Sequence, residues 1–524
     1  MNTARSNRPN LVVIMADQLA PQFIASYGHT VAKTPHIDQL VSRGMRFDAA
    51  YCNSPLCAPS RFSFMSGQLI SRIAAYDNAS EFPSTVPTFA HYLRLINYKT
   101  CLAGKMHFVG PDQKHGFEDR VTTDIYPSDY AWTPDWEAHD ERIDKWYHNM
   151  QTVKESGQAV TTYQIDYDEE VSYRTRRWLL DWARETSDIE SNTESKPFAL
   201  VASFIHPHDP YVATPEFWNL YDEADIELPA YVPPLYELDP FSQRIMHGIE
   251  ASHIRLTDSE TRTARHAYLA NVSYFDSKVG EIVATLKEIG QLENTVIVVT
   301  ADHGDMLGER GLWYKMNFFE HSARVPLVFA GPGVTQGSCV SACSLVDLLP
   351  TFIELGGGSL QLIASPIDGN SLLPALRESS DDSVSASNTV ADVAIGEYCA
   401  EMTPYPVLMI RRGSYKYIHC DVDPPQLYDV VNDPLEKNNL AEQADYAELS
   451  EAFADEVASR WNGEALRQDV IATQKARHAL YAAMVNGKPD HWDYDPPSDA
   501  SDQYVRNHMD WTVAAARYRF PPLK

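Results

Sequence analysis

Three short apolar runs each end in an acidic residue or a histidine, and this pattern restricts what the chain can fold into. The runs are residues 11–16, 198–205 and 295–301. The residues that follow them are Asp17, His206 and Asp302. Short continuous apolar runs are typical of strands buried on both faces of a parallel sheet. The pattern therefore predicts a large sheet with polar residues at its strand ends.

Helical stretches separate these runs, as at residues 268–290, and a fourth run covers 326–330. Strands that alternate with helices indicate an α/β fold with a large, mostly parallel central sheet flanked by helices. Ligands of such sheets bind beyond the carboxyl ends of the strands. We therefore expect Asp17, the pair His206/His208 and the pair Asp302-His303 to meet at one edge.

The 524 residues are too many for one simple domain. Polar, Gly- and Ser-rich composition over 356–392 marks a linker. We predict a catalytic domain at 1–375 and a smaller α+β subdomain at 390–485, with strands near 407–412 and 415–419 and helices over 441–485. An extended tail, 486–524, is rich in Pro, Asp, Trp and Tyr and is not expected to fold alone.

Composition excludes several classes of protein. A net charge of −29 argues against a nucleic-acid partner, which requires a basic face. Seven cysteines at irregular spacing, without a CxxC pair, argue against a disulfide scaffold. The first residues lack an apolar signal segment, and no run is long enough to span a membrane. We therefore expect a cytoplasmic protein without a membrane partner.

Two dipeptides at strand ends carry metal-ligand chemistry. Asp17-Gln18 and Asp302-His303 offer two carboxylates, an amide oxygen and a ring nitrogen. Hard divalent cations prefer oxygen ligands, which favours Ca²⁺, and the nitrogen leaves Mg²⁺ or Mn²⁺ open. An Asp after a strand can instead cap a helix, and that reading applies to either acid taken alone.

The run Cys57-Ala-Pro-Ser-Arg61 resembles the motif of type I sulfatases, in the alkaline-phosphatase-like superfamily. The alternative reading of the pentapeptide alone is a buried thiol at a strand-to-helix turn. Further segments extend the resemblance over nearly the whole chain: 9–17, 104–107, 206–211, 301–305 and 427–440. In that family a maturation enzyme oxidises the cysteine to formylglycine, an aldehyde. Its hydrate then attacks sulfur.

The resemblance assigns roles to individual residues. It implies that Cys57 is nucleophile and metal ligand and that Arg61 holds it in place. It implies that four further residues bind sulfate oxygens or move protons: Lys105, His107, His208 and Lys315. We assign His208 to the leaving group and His107 to the aldehyde hydrate. His206, beside a proline, is expected to be structural.

Gln18 and His303 depart from the pattern of many sulfatases, and further segments, such as 76–81, 104–112, 146–149, 307–320 and 506–509, resemble the choline-sulfatase branch. That branch hydrolyses choline O-sulfate. A quaternary ammonium group is held by aromatic faces and a nearby carboxylate. The region 126–148 supplies seven aromatic or histidine candidates, including Trp146 and Tyr147, although such clusters are also typical of core packing. The match favours Asn78, Trp132, His148 and Glu397, with Glu401 and Asp510 as further counter-charges.

The same branch implies a tail that reaches a neighbouring subunit, and hence a homo-oligomer, expected to be a tetramer. Two other functions stay open. One is a phosphonate monoester hydrolase or phosphodiesterase of the same superfamily. The other is a non-catalytic protein that binds a quaternary ammonium compound. The presence of Cys57, Arg61, Lys105 and Lys315 together favours an enzyme.

Overall fold

The protein is described by a computed structural model over residues 8–138, 148–187, 196–377, 390–487 and 510–513. Its strands are β1 Asn10–Asp17, β2 Met45–Phe47, β3 Ala50–Tyr51, β4 Lys99–Gly104, β5 Asp119–Arg120, β6 Gly157–Gln158, β7 Phe198–Pro207, β8 Val212–Ala213, β9 Thr295–Ala301, β10 Leu327–Ala330, β11 Gly337–Cys339, β12 Cys343–Ser344, β13 Val393–Tyr398, β14 Val407–Arg412, β15 Tyr415–Cys420 and β16 Asp423–Asp429.

Its α-helices are α1 Pro35–Val41, α2 Cys57–Ser66, α3 Ile70–Ile73, α4 Phe89–Leu95, α5 Met150–Lys154, α6 Tyr163–Ser187, α7 Pro215–Trp218, α8 Pro240–Gly248, α9 Asp258–Glu288, α10 Glu320–Ala323, α11 Leu348–Leu355, α12 Leu373–Arg377, α13 Ala447–Arg460 and α14 Gly463–Met484. Within the described ranges, no helix combines the length and the apolar character needed to cross a bilayer.

An eight-stranded sheet forms the centre of the fold, in the order β11-β2-β10-β9-β1-β7-β4-β5. Its neighbours pair in parallel except at β10, which runs antiparallel to both β9 and β2. The predicted α/β fold with a mostly parallel sheet is therefore confirmed. The fourth apolar run forms a strand in the opposite direction, because the chain returns from β9 through loops and one short helix rather than a long crossover helix.

Strand register places the two acids of the predicted metal site together. Every residue of β1, β7 and β9 is buried, as the apolar runs predict. Ala16 of β1 pairs with Ala301 of β9. Asp17 and Asp302 therefore follow the same rung of the sheet. The long helices α6 and α9 pack on β7 and cover one face of the sheet.

The C-terminal part forms an antiparallel sheet, β13-β14-β15-β16, with α13 and α14 beside it. A buried ion pair joins this sheet to the main body, since Lys416 Nζ of β15 lies 2.9 Å from Glu320 Oε1 of α10. The predicted strands and helices of this region are present. The boundaries 1–375, 390–485 and 486–524 stay predictions, and most of the tail lies outside the described residues.

Candidate active site

Four buried side chains meet beyond the ends of β1 and β9. They are Asp17, Cys57, Asp302 and His303, whose ligand atoms all lie within 4.8 Å of one another. Cys57 Sγ is 3.3 Å from His303 Nε2 and 3.8 Å from Asp17 Oδ1. His303 Nδ1 donates to the Gly304 carbonyl at 3.0 Å, which leaves Nε2 with a lone pair directed at the group. The predicted convergence of strand ends is present.

Arg61 forms ion pairs with both carboxylates of this four-residue group. It lies one helical turn after Cys57 on α2, so both side chains share one face of the helix. Its Nε donates to Asp302 Oδ2 at 2.8 Å and its Nη2 to Asp17 Oδ2 at 3.0 Å. Burial alone would raise the pKa of Asp17, but Lys105, His208 and Arg61 hold it well below its ordinary value. The carboxylate is therefore ionised and fixed in orientation.

Two buried lysines flank the same group. Lys105 Nζ contacts Asp17 Oδ2 and lies 4.1 Å from the centre of the Tyr126 ring. Lys315 Nζ donates to Gln18 Oε1 at 2.6 Å and lies 2.8 Å from His208 Nε2. Burial opposes the charge on Lys315, but Cys57, Asp17 and neighbouring acids raise its pKa above the ordinary value. Lys105 and Lys315 thus place two positive charges beside the carboxylates of the site, within a protein of net charge −29.

The two predicted catalytic histidines differ in their contacts. His208 Nδ1 donates to the Asp209 carbonyl at 2.8 Å. His107 is buried, and neither of its ring nitrogens has a hydrogen-bond partner in the described part of the chain. Burial and then the charges of Lys315 on His208 and Lys105 on His107 hold both pKa values well below the ordinary value. Both rings are therefore neutral in this state.

Backbone strain is concentrated at the same place. Gln18 has φ 65°, His107 has φ 56°, and the residues on either side of Lys315, Tyr314 and Met316, have φ 66° and 76°. Left-handed backbone costs a residue with a side chain about 1–3 kcal/mol and persists only where surrounding packing enforces it. Such strain is typical of functional sites.

Residues 9–358 match the family Sulfatase. The chain belongs to the sulfatase family. Two further matches cover its C-terminal part: N-sulphoglucosamine sulphohydrolase, C-terminal, at 308–462, and Choline sulfatase enzyme C terminal at 468–520.

This sulfatase is 45% identical over 521 residues to the choline-sulfatase of Rhizobium meliloti (strain 1021), covering 98% of this chain and 99% of that protein. It is 29% identical over 469 residues to arylsulfatase K of Danio rerio, covering 84% and 82% of the two chains. The phosphonate monoester hydrolase of Agrobacterium radiobacter superposes with a TM-score of 0.67 at 22% identity, covering 88% and 96%. That last likeness shows the shared fold.

Aromatic rings of this sulfatase border Lys105 and His107. Tyr126 lies 4.9 Å from the His107 ring centre, and Trp132 lies 5.9 Å from it in an edge-to-face arrangement. Trp511, from the described piece of the tail, packs edge-to-face on Tyr126 at 4.4 Å. This piece therefore contacts its own chain. The candidates Trp146 and Tyr147 lie outside the described residues.

The predicted substrate-binding residues divide into two groups. His148 is buried, with its ring 5.5 Å from that of His208. Asn78 Oδ1 accepts from the Ala58 amide at 3.0 Å, so this side chain caps the helix that begins at Cys57. Asp510, in contrast, is exposed and accepts from the Val513 amide at 3.2 Å.

Glu397, a predicted counter-charge, accepts three hydrogen bonds. Its carboxylate accepts from the Ser71 amide at 2.8 Å, the Ser71 hydroxyl at 2.7 Å and Trp461 Nε1 at 2.6 Å. These bonds satisfy both oxygens and make Glu397 a connection between α3 and the C-terminal part. Glu401 is also buried, and its Oε1 has no partner among the described residues. Burial, then the charge of Asp77, raises the pKa of Glu401 to about 8.

Asp209 and Asp305 are residues that the sequence analysis did not single out. Asp209 Oδ1 lies 3.2 Å from His208 Nδ1, and Oδ2 lies 3.5 Å from His148 Nδ1. Gln18 Nε2 donates to Asp209 Oδ1 at 3.3 Å and to Asp305 Oδ2 at 2.7 Å. Both acids fall within the motif segments 206–211 and 301–305, which were the available signal. His206 pairs instead with Asp168 at 2.7 Å, as expected of a structural histidine.

The donor set fits a hard divalent cation. Two carboxylates and one imidazole nitrogen are buried, and Asp17 turns one oxygen to Arg61 and Lys105 while the other faces Cys57. Gln18 lies beside the group, but its amide oxygen takes a hydrogen bond from Lys315. Its role as a metal ligand stays a prediction.

Proposed function

We propose that this sulfatase hydrolyses choline O-sulfate to choline and sulfate, with formylglycine formed from Cys57 as the nucleophile. The observation that carries the proposal is a buried cationic site that borders aromatic faces, with Lys105 Nζ and Trp132 both next to Tyr126. The lysines fit the sulfate oxygens, and the aromatic rings fit a quaternary ammonium group. The 45% identity to a choline-sulfatase over 98% of the chain supports this substrate.

The nucleophile at position 57 is proposed to be the aldehyde hydrate rather than the thiol. Burial and the charge of Asp17 raise the pKa of the Cys57 thiol to about 11. An unmodified Cys57 is therefore protonated near neutral pH and is a poor nucleophile. Conversion requires a maturation enzyme, and its product places a hydroxyl where Sγ now faces His303.

One divalent cation, proposed to be Ca²⁺ with Mg²⁺ and Mn²⁺ as alternatives, is held by Asp17, Asp302, His303 and residue 57. The ion supplies Lewis-acid stabilisation of negative charge on the sulfate group. Arg61 keeps both carboxylates in place, and Lys105 and Lys315 bind sulfate oxygens as fixed point charges. Elemental analysis of the purified protein identifies the ion.

Proton transfer is assigned to the two neutral histidines. His107, whose ring nitrogens are unpaired in the described structure, accepts the proton of the second hydroxyl at position 57. The Lys315–His208 pair, with Nζ 2.8 Å from Nε2, holds the proton that is given to the leaving oxygen. Choline is a poor leaving group, so this proton decides the rate of S–O cleavage.

The choline end is assigned to Trp132, Asn78, His148 and Glu401. Glu401 takes the place of Glu397 because its buried Oε1 is unpaired among the described residues and the charge of Lys315 acts on it. A buried, ionised carboxylate with one unpaired oxygen is costly, and a bound cation removes that cost. Asp510, in the described piece of the tail, is proposed as a second counter-charge for the quaternary ammonium group.

Assembly and location are part of the proposal. We propose a cytoplasmic homotetramer in which the tail 486–524 reaches a neighbouring subunit. The aromatic composition of the tail supports this, whereas Trp511 on Tyr126 favours packing within one chain. Light scattering of the full chain and of a chain ending at residue 487 separates the two arrangements.

The function is tested by steady-state kinetics on choline O-sulfate, an aryl sulfate and an aryl phosphodiester. The proposal requires choline O-sulfate to have the highest kcat/KM. The phosphonate monoester hydrolase alternative requires the diester to be preferred by orders of magnitude, and that result would refute the substrate assignment. Failure to release sulfate from protein whose residue 57 is formylglycine would favour the non-catalytic alternative.

A further inference from the structure

The C-terminal helix α14 holds a loop of the active site through a buried ion pair. Arg477 Nη1 lies 2.6 Å from Asp77 Oδ1, and Nη2 lies 2.7 Å from Asp77 Oδ2. Both side chains are buried, at 7% and 0% exposure. The same Nη1 donates to Thr133 Oγ1 at 3.3 Å. One guanidinium group therefore joins the loop around residue 77 to the loop around residue 133.

Neighbouring residues of α14 contact the same two loops. Gln474 Oε1 accepts from the Trp136 amide at 2.9 Å, and His478 Nε2 donates to the Pro134 carbonyl at 3.0 Å. Asp469 accepts from the Tyr76 hydroxyl. Positions 474, 477 and 478 of α14 are three and four residues apart, and this spacing places them on one side of the helix.

Each loop carries a residue of the proposed substrate site. Asn78 follows Asp77 and accepts from the Ala58 amide at the start of the Cys57 helix. Trp132 precedes Thr133 and packs against His107 and Tyr126. A buried ion pair contributes little net stability compared with apolar packing, but a bidentate pair fixes orientation. The contact is therefore suited to positioning.

We propose that Arg477 is a positioning residue for the cationic end of the substrate. It fixes the loops of Asn78 and Trp132 relative to residue 57, so that α14 makes this sulfatase selective for a quaternary ammonium ester. This inference rests on the proposed function. The match to the choline sulfatase C-terminal region begins at residue 468, within α14, and the N-sulphoglucosamine sulphohydrolase match ends at 462, before the helix begins.

The test compares Arg477→Met and Arg477→Lys with the wild type on choline O-sulfate and on 4-nitrophenyl sulfate. Arg477→Met is expected to raise KM for choline O-sulfate about tenfold with kcat nearly unchanged, and KM for 4-nitrophenyl sulfate by less than about twofold. Arg477→Lys, which keeps the charge, recovers part of the loss. Gln468→Met is the control, since this exposed residue of α14 bonds to Glu464 of the same helix.

Equal changes in KM for both substrates, or no change for either, would overturn the inference. If Arg477→Met fails to fold, His478→Ala removes an exposed contact to the Trp132 loop, and it must raise KM for choline O-sulfate selectively. A wild-type protein that cleaves 4-nitrophenyl sulfate but not choline O-sulfate would refute the proposed function, and the inference with it. A wild type that prefers choline O-sulfate, with variants that change KM equally for both substrates, refutes the inference alone.

Discussion

The Nζ of Lys315 lies 2.8 Å from the Nε2 of His208, and both groups are buried. Since His208 Nδ1 donates to the Asp209 carbonyl, Nε2 carries the lone pair and accepts from the lysine. The pKa of His208 is held low by burial and by Lys315, whereas that of Lys315 is raised by neighbouring anionic groups. The proton of the pair therefore rests on Lys315 until the leaving oxygen requires it.

Replacing Lys315 is expected to affect a poor leaving group most. Lys315→Met removes an anion-binding charge and the proton supply, so kcat for choline O-sulfate should fall by roughly 10²- to 10³-fold. The loss should be smaller for 4-nitrophenyl sulfate, whose leaving group needs little protonation. The exposed Lys475, which contacts Glu137, provides a matched Lys→Met control. An equal loss for both esters would show that Lys315 acts through charge alone.

Cys57→Ala should abolish turnover and leave both the fold and the choline affinity nearly intact. Its Sγ contacts His303 and Asp17, whereas the proposed cation site lies at the aromatic rings. Calorimetric titration with choline and thermal unfolding measure the two properties. Mass spectrometry of the wild-type peptide 54–65 must first establish that residue 57 carries the aldehyde. Loss of choline binding would contradict the separation of nucleophile and cation site.

Trp132→Ala should raise KM for choline O-sulfate far more than KM for an uncharged aryl sulfate. A desolvated cation–π contact contributes about 2 kcal/mol, which corresponds to roughly a thirtyfold change in affinity. Trp132→Phe keeps an aromatic face and should lose less. Equal effects on both substrates would remove Trp132 from the cation site.

The affinity for choline should depend on pH through Glu401. Its pKa is raised to about 8 by burial, so below that pH the free carboxyl is neutral and pairs poorly with a cation. The dissociation constant of choline should therefore decrease as pH rises through about 8. Glu401→Gln should weaken binding at high pH and abolish the dependence.

Folding stability gives an independent check on Glu401. A carboxyl whose pKa is raised in the folded protein stabilises it fully only below the unfolded pKa, and the contribution is lost as pH rises through the folded pKa. Glu401→Gln should therefore raise the melting temperature more at pH 8.5 than at pH 4 in the absence of choline. If Glu401→Gln changes the melting temperature by the same amount at both pH values, the pKa of Glu401 is not raised in the folded protein.

Chelation should remove activity without unfolding the protein. Arg61 donates to both Asp17 and Asp302, and Lys105 contacts Asp17, so the carboxylates stay paired without the ion. Treatment with EDTA should abolish sulfate release while the circular dichroism spectrum persists. Activity regained with Ca²⁺ rather than Mn²⁺ supports the proposed ion. Cooperative unfolding on chelation would show that the ion is structural.

The sequence predicted that Asp17 and Asp302 lie together, because strand ends can be recognised from local sequence. Apolar runs end at Asp17 and before Asp302. The register of β1 and β9 then places these two acids side by side. The antiparallel direction of β10 could not be predicted, because the sequence of a short buried strand does not indicate which way it runs relative to its neighbours. The orientation of Gln18 depends on a left-handed backbone enforced by surrounding packing, which no local pattern contains.

The choice between Glu397 and Glu401 as the counter-charge could not be made from the sequence. The two acids are four residues apart, and either could serve a cation. Trp461 and Ser71, which are distant in sequence, donate hydrogen bonds to Glu397. Glu401 Oε1 has no hydrogen-bond partner within the described structure. Arg477 likewise becomes visible only when its long-range partner Asp77 is known. Its sole local signal is an arginine on the buried side of α14.

Cys57 is 1% exposed, and this burial limits when the proposed conversion to formylglycine can occur. A modifying enzyme cannot reach a side chain buried at the start of α2, so the proposed conversion must precede the final folding of the chain during biosynthesis. Folding and maturation then compete for the same nascent polypeptide. A variant that folds faster would accumulate more inert protein, and slower synthesis or a destabilised nascent state would increase the active fraction.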